Sequence, residues 1–271
     1  MFKNIRNSFI AKLSLSIIVL WIILAFIFGF TDLKISIAVV DENSTWGIFG
    51  RDFGEAPGWG LIAIALSTLI GSYDENIKKQ KIPAYVIIFI GIVLFALGVI
   101  DNSSYLMLIG GSITISLVLF TIITFKKDWG EYRKISAVIT VLTIINPLLF
   151  IQITKIFWGR VRFRDLLLPG FIEYTPWFIP RGITGNQSFP SGHTAMGWMI
   201  LPLLILLRKK QWKNPIRLLG TIVIIGWGIF VGLSRIVIGA HYASDVLFST
   251  GIAIVVTLLL YKKYYLKQDI S

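Results

Sequence analysis

The sequence predicts an all-α protein, a polytopic membrane helix bundle of about six to eight transmembrane helices. Three observations carry that prediction. Of 271 residues, 55% are hydrophobic and only 15% charged, and the mean hydropathy is +0.78, far from the average composition of a soluble domain. Apolar runs long enough to cross a hydrocarbon core about 30 Å thick recur along the chain. Lys and Arg collect in alternate connections, as the positive-inside bias requires of a bundle with both termini in the cytoplasm.

Eight apolar runs fall at about 11–30, 58–73, 82–100, 105–125, 135–153, 194–207, 218–238 and 243–260, the second and sixth of them short. Polar connections with turn residues separate them, among them DENIKKQKIP at 74–83, DNSS at 101–104 and KKDWGEYRK at 126–134. None is long enough for a separate domain. The chain divides into an N-terminal transmembrane region, 1–134, with four spans, and a second region, 135–271, where the candidate chemistry lies. The first run follows basic residues, as a signal peptide's would. Its apolar stretch exceeds an h-region and no A-x-A-like site follows, so it reads as an uncleaved first helix. Without cysteine there is no disulfide framework and no thiolate metal or redox site. There is no internal repeat to support an inverted-repeat transporter.

The net charge of +12 is mostly topology. With the N-terminus inside, 18 of the 26 basic residues fall on inside segments, which argues against a nucleic-acid partner. The eight left outside are Lys34, Arg51, Lys155, Arg160, Arg162, Arg164, Arg181 and Arg235. Five of them crowd into residues 155–181, against the trend. The only two histidines fall on that same face, His193 in NQSFPSGHTAMGW and His241 in SRIVIGAHYASD.

Three cations, Lys155, Arg162 and Arg235, suit a multiply charged oxyanion such as phosphate. Pro190 and Gly192 shape a turn, and Ser191 is placed to cap the helix that follows. Helix N-termini of this kind bind phosphate. Asp245 lies four residues after His241, so on a helix the two share a face and the carboxylate can orient the imidazole. Two histidines beside a phosphate can divide hydrolysis between them: a neutral ring attacks phosphorus, and a protonated one supplies the departing oxygen. Cations then stabilise the charge on the transferring group. Neither HExxH nor a paired-carboxylate cluster is present, so no metal and no cofactor is expected.

These residues resemble the three-part signature of the type 2 phosphatidic acid phosphatase (PAP2) family, written KxxxxxxRP, PSGH and SRxxxxxHxxxD. The matching segments are Lys155-IFWGRV-Arg162, Pro190-Ser191-Gly192-His193 and Ser234-Arg235-IVIGA-His241-YAS-Asp245, in the family's order. Phe163 stands where the family has Pro, and the family's membrane enzymes have six spans against the eight runs counted here. The resemblance implies a PAP2-type core and a metal-independent lipid phosphatase. By the same resemblance, His241 is the nucleophile that becomes phosphohistidine, Asp245 its partner and His193 the general acid. Lys155, Arg162 and Arg235 clamp the phosphate, with Ser191 and the Gly192 N–H completing the cradle.

Arg160, Arg164 and Arg181 fall outside the signature and read as head-group contacts or surface charges. Residues 31–57 read as a loop rather than a flap over the site. The expected partners are a lipid phosphate and the surrounding membrane lipids, with no obligate protein partner. The Ile- and Lys-rich composition points to an AT-rich bacterial genome. Undecaprenyl pyrophosphate on the outer leaflet therefore leads the substrate classes, ahead of phosphatidylglycerol phosphate and phosphatidic acid. The alternatives are a lipid-phosphate phosphotransferase and a transporter or flippase that binds such a lipid without cleaving it.

Overall fold

The computed structural model describes residues 2–266, with side chains from Ile10 onward. Lys3, Arg6 and Lys267, counted above with the inside cations, lie outside the described side chains. The described residues form helices and connections with no strand. The helices are α1 (Phe2–Val39), α2 (Thr45–Phe53), α3 (Ala56–Gly71), α4 (Ile82–Ile100), α5 (Ser104–Ile123), α6 (Arg133–Thr143), α7 (Ile151–Trp158), α8 (Gly192–Gly197), α9 (Leu204–Leu207), α10 (Pro215–Val237) and α11 (Ala243–Tyr261). A π-helical stretch, Ile144–Phe150, joins α6 to α7 around Pro147, whose missing N–H removes a helical hydrogen bond. A 3-10 stretch, Trp198–Leu203, joins α8 to α9 around Pro202.

Among the described residues, seven helical segments are long and apolar enough to cross a membrane. The sixth expected run instead forms the shorter apolar helix Gly192–Leu207. It lies inside the bundle, with Thr194 through Pro202 buried. Helices α3, α6 and α11 contribute to a core around Ile62, Ile139, Leu142, Met196, Met199 and Val256. Helices α4 and α5 form a hairpin through residues 101–103. Ser103 caps α5, its hydroxyl accepting from the Leu106 N–H at 3.4 Å.

Two expectations about the N-terminal region need correction. Helix α1 continues to Val39, nine residues past the expected end at 30. Asp32 and Lys34 read as the start of a polar connection, yet Asp32 turns inward and is wholly buried. Residues 31–57 are therefore mostly helical rather than a loop: the end of α1, then α2, then the start of α3. Helix α2 lies against α10, where the Trp227 indole donates to the Gly54 carbonyl at 3.2 Å.

Candidate active site

Each motif sits at a helix end, where a side chain can leave the apolar bundle. Lys155 occupies the last turn of α7. Gly159 ends that helix in the left-handed region at φ 55°. A Cβ there would also lie 2.2 Å from the Gly182 carbonyl oxygen, so the turn requires glycine on two counts. The chain is extended by Arg162. Ser191 caps α8 as expected, accepting from the Thr194 N–H at 3.4 Å and the Thr194 hydroxyl at 2.9 Å. The Lys155 ammonium stands 3.5 Å from where a Cβ on Gly192 would be. Arg235 closes α10, and its carbonyl accepts from the N–H groups of Ala240 and His241, both at 3.1 Å, which fixes the loop carrying the second histidine.

His241 is 2% exposed. Its Nδ1 lies 2.6 Å from the Ser188 carbonyl oxygen and 3.5 Å from Asp245 Oδ2. Both neighbours accept, so the proton belongs on Nδ1 and the lone pair on Nε2. Burial pushes the imidazole down to about 4, against the opposing pull of Asp245 and with the help of Arg235 and Lys155. The ring is therefore neutral at pH 7. Desolvation thus outweighs the carboxylate, and the cations act in the same direction as burial.

The i, i+4 helical geometry expected for His241 and Asp245 does not occur, because His241 precedes α11. Asp245 reaches back instead by capping that helix, its Oδ2 accepting from the Tyr242 N–H at 2.9 Å.

Asp245 is the centre of a buried ion network. It accepts from Arg160 Nη1 at 2.6 Å and from the Ser188 hydroxyl at 2.5 Å. Arg160 also bonds Asp32 Oδ2 at 2.9 Å and the Ser244 hydroxyl at 2.9 Å. Its guanidinium lies 3.9 Å from the centre of the Tyr242 ring. Asp32 in turn accepts from the Ser244 N–H at 3.0 Å. Arg160 is thus not a head-group contact: it is 1% exposed and ties α1 to α11. Arg164 and Arg181 fit the surface reading better, Arg164 beside Asp165 at 3.7 Å and Arg181 on the Glu173 carbonyl at 3.2 Å. Phe163, at the family's Pro position, packs its ring against Phe171 and edge-on to Tyr242.

The cations differ from Arg160 in their bonding. Arg235 is 5% exposed, yet its Nε and Nη1 have no acceptor among the described residues, and neither does Arg162 Nε. Buried donors left unpaired are costly and uncommon. His193, His241, Arg235 and Lys155 lie within electrostatic range of one another. His193 is the more open histidine, its side chain 28% exposed, with Nδ1 3.1 Å from Glu55 Oε1. The structure therefore gathers Lys155, Ser191, Gly192, His193, Arg235, His241 and Asp245, and it adds Asp32, Glu55, Arg160 and Ser188. Asp32 and Glu55 fell between the apolar runs at 11–30 and 58–73, in the stretch read as a loop, so nothing in those runs marked them. Ser188 acts at His241 through its carbonyl, and a sequence does not display that. Among the described residues, no group of three or more His, Cys, Asp or Glu is placed to hold a metal ion.

The lipid A 4'-phosphatase of Francisella tularensis subsp. novicida (strain U112) is 29% identical over 163 residues, which cover 58% of this chain and 71% of that protein. No solved structure matches the chain. Residues 135–269, which hold all three motifs, match the PAP2 superfamily. With seven apolar helices among its described residues, the chain is an integral membrane protein that belongs to the PAP2 superfamily.

Proposed function

We propose that this protein hydrolyses a phosphate or pyrophosphate ester of a membrane lipid through a phosphohistidine on His241. One observation carries the reading: buried guanidinium N–H groups of Arg235 and Arg162 have no acceptor among the described residues, beside a neutral imidazole with a free Nε2. A phosphate satisfies those donors and offers phosphorus to that nitrogen.

In the first half-reaction the Nε2 lone pair of His241 attacks phosphorus. The bond to the lipid oxygen breaks, and His193 passes a proton to that oxygen. Water then attacks the phosphohistidine while His193, now neutral, takes the water's proton, and inorganic phosphate leaves. Lys155, Arg162 and Arg235 hold the phosphoryl oxygens, with the Ser191 hydroxyl and the Gly192 N–H completing the cradle. Asp245 fixes the loop and the tautomer of His241. These steps use no metal and no other cofactor.

The apolar surroundings and the outward basic cluster favour an amphiphilic substrate met at the extracytoplasmic face, with both termini cytoplasmic. Undecaprenyl pyrophosphate leads, followed by phosphatidylglycerol phosphate and phosphatidic acid. The lipid A 4'-phosphatase relative favours a second reading, a phosphate monoester on a glycolipid.

Purified protein in detergent, given each of these lipids, is expected to release inorganic phosphate. His241→Ala lowers that release by about 10,000-fold or more, and a chelator leaves the wild-type rate unchanged. A preparation that binds the lipids and cleaves none overturns hydrolysis in favour of transport. Label passing to a second lipid instead of to water identifies a phosphotransferase. Activity that returns only with a divalent metal ends the metal-free mechanism.

A further inference from the structure

The residues that match the PAP2 superfamily begin at 135, yet a carboxylate beside the Nδ1 of His193 comes from outside them. Glu55 Oε1 stands 3.1 Å from that nitrogen. Glu55 lies at the junction of α2 and α3 and is only 5% exposed. Its other oxygen accepts from the Trp59 indole at 3.1 Å, one turn along α3, which fixes the direction of the carboxylate. The Arg51 main chain, one turn earlier, also lies within hydrogen-bond reach of the imidazole. The segment is held against the motif-bearing helices on both sides. A Cβ at Gly50 would lie 2.3 Å from the Ser234 hydroxyl, and one at Gly58 would lie 2.5 Å from the Met196 carbonyl. Contacts this close admit only glycine and leave Glu55 little freedom to move away.

We propose that Glu55 is the positioning residue for His193: it holds the Nδ1–H, points Nε2 at the lipid oxygen, and stabilises the imidazolium that protonates the leaving group. The inference rests on the phosphatase reading above. In it each histidine has its own orienting acceptors, Ser188 and Asp245 for His241 and Glu55 for His193, and the two sets come from opposite halves of the chain. The proton balance is unchanged. His193 gives its Nε2 proton to the departing oxygen and recovers one from the attacking water, while Glu55 stays beside Nδ1 and transfers nothing. The other charged groups facing His193 are Arg235, His241 and Lys155. All three are cationic or neutral, so Glu55 is the anion available to balance the imidazolium.

The test separates leaving groups. Dodecyl phosphate must lose an alkoxide, which needs a proton. 4-Nitrophenyl phosphate loses a phenolate that departs without one. In Glu55→Gln, whose amide oxygen still accepts from Trp59, turnover of dodecyl phosphate falls by about 10-fold to 100-fold. First-turnover release of 4-nitrophenolate by the same preparation, which precedes the water step, stays within about 3-fold of wild type, because the missing proton is not used. The alkaline limb of the dodecyl phosphate profile also moves to lower pH, and Glu55→Asp recovers part of the rate.

The ratio of the two rates within one preparation is independent of how much protein is folded. An equal loss on both substrates with an unmoved pH limb overturns the proposal and leaves Glu55 a packing residue. Wild-type protein that hydrolyses neither ester overturns the phosphatase reading instead, so the two failures are distinguishable.

Discussion

The two histidines occupy opposite kinds of surroundings. His241 is 2% exposed and sits beside a closed ion network of Asp245, Arg160 and Asp32, all wholly or almost wholly buried. His193 has a side chain 28% exposed, one carboxylate at 3.1 Å, and a short helix behind it. Burial without a full counter-charge keeps an imidazole neutral, which is the state that attacks. Partial exposure beside a carboxylate suits a ring that must gain and lose a proton in each cycle. The proposed division of labour between the two rings is what this unequal exposure puts to the test. It can be broken from either side.

The largest effect is expected on the His241 side. Arg160→Met removes the cation shared by two buried carboxylates, and breaking such a pair from one end costs about 3–5 kcal/mol. Thermal unfolding in one fixed detergent measures the loss. Arg181→Met, on the exposed loop, serves as the comparison and stays within about 0.5 kcal/mol. If the two variants unfold alike, the Asp32–Arg160–Asp245 network does not stabilise the fold.

Next comes pH. His241 titrates at about 4 in the folded protein and at about 6.5 in an unfolded chain. Between those values the unfolded state binds more protons, so stability rises with pH across that window and is flat with respect to this group above and below it. Asp245, Arg235 and Lys155 are the charged groups that act on the ring. Unfolding midpoints recorded from pH 4 to pH 7 are expected to lose this group's share of the slope in His241→Gln and to keep it in Arg181→Gln. An unchanged slope in His241→Gln overturns the assignment of the buried neutral ring.

The degree to which this site was legible in the sequence follows from what kind of group does the work. Seven spans and the short eighth helix could be read from apolar runs, because the membrane imposes their length. The three motifs could be read because side chains of fixed type recur at fixed spacing. Arg160 was misread because it sits in a basic cluster, and cluster membership does not distinguish an exposed cation from one wrapped by two carboxylates. Asp32 and Lys34 looked like the end of a span, since burial of Asp32 depends on a partner 128 residues away. Ser188 escaped because its contribution is a carbonyl oxygen. Glu55 stood in a stretch read as a loop, and only the packing of α2 on α10 brings it to His193.

The smallest effect lies on the His193 side. Ser191 has two expected roles, helix cap and phosphate donor. The structure places its oxygen on the Thr194 N–H and under the Thr194 hydroxyl, while its own hydrogen is still available to donate. Ser191→Ala removes both roles, and the cap alone is worth about 1 kcal/mol. Ser191→Gly separates them, because glycine caps within a few tenths of a kcal/mol of serine but has no hydroxyl. The glycine variant is expected to unfold at nearly the wild-type midpoint and to hydrolyse lipid phosphate about 10-fold more slowly, the loss expected for one neutral donor to a charged acceptor. Wild-type turnover in that variant would leave Ser191 a cap alone. The phosphate would then be held by Lys155, Arg162, Arg235 and main-chain N–H groups, and recognition would rest on the buried cations.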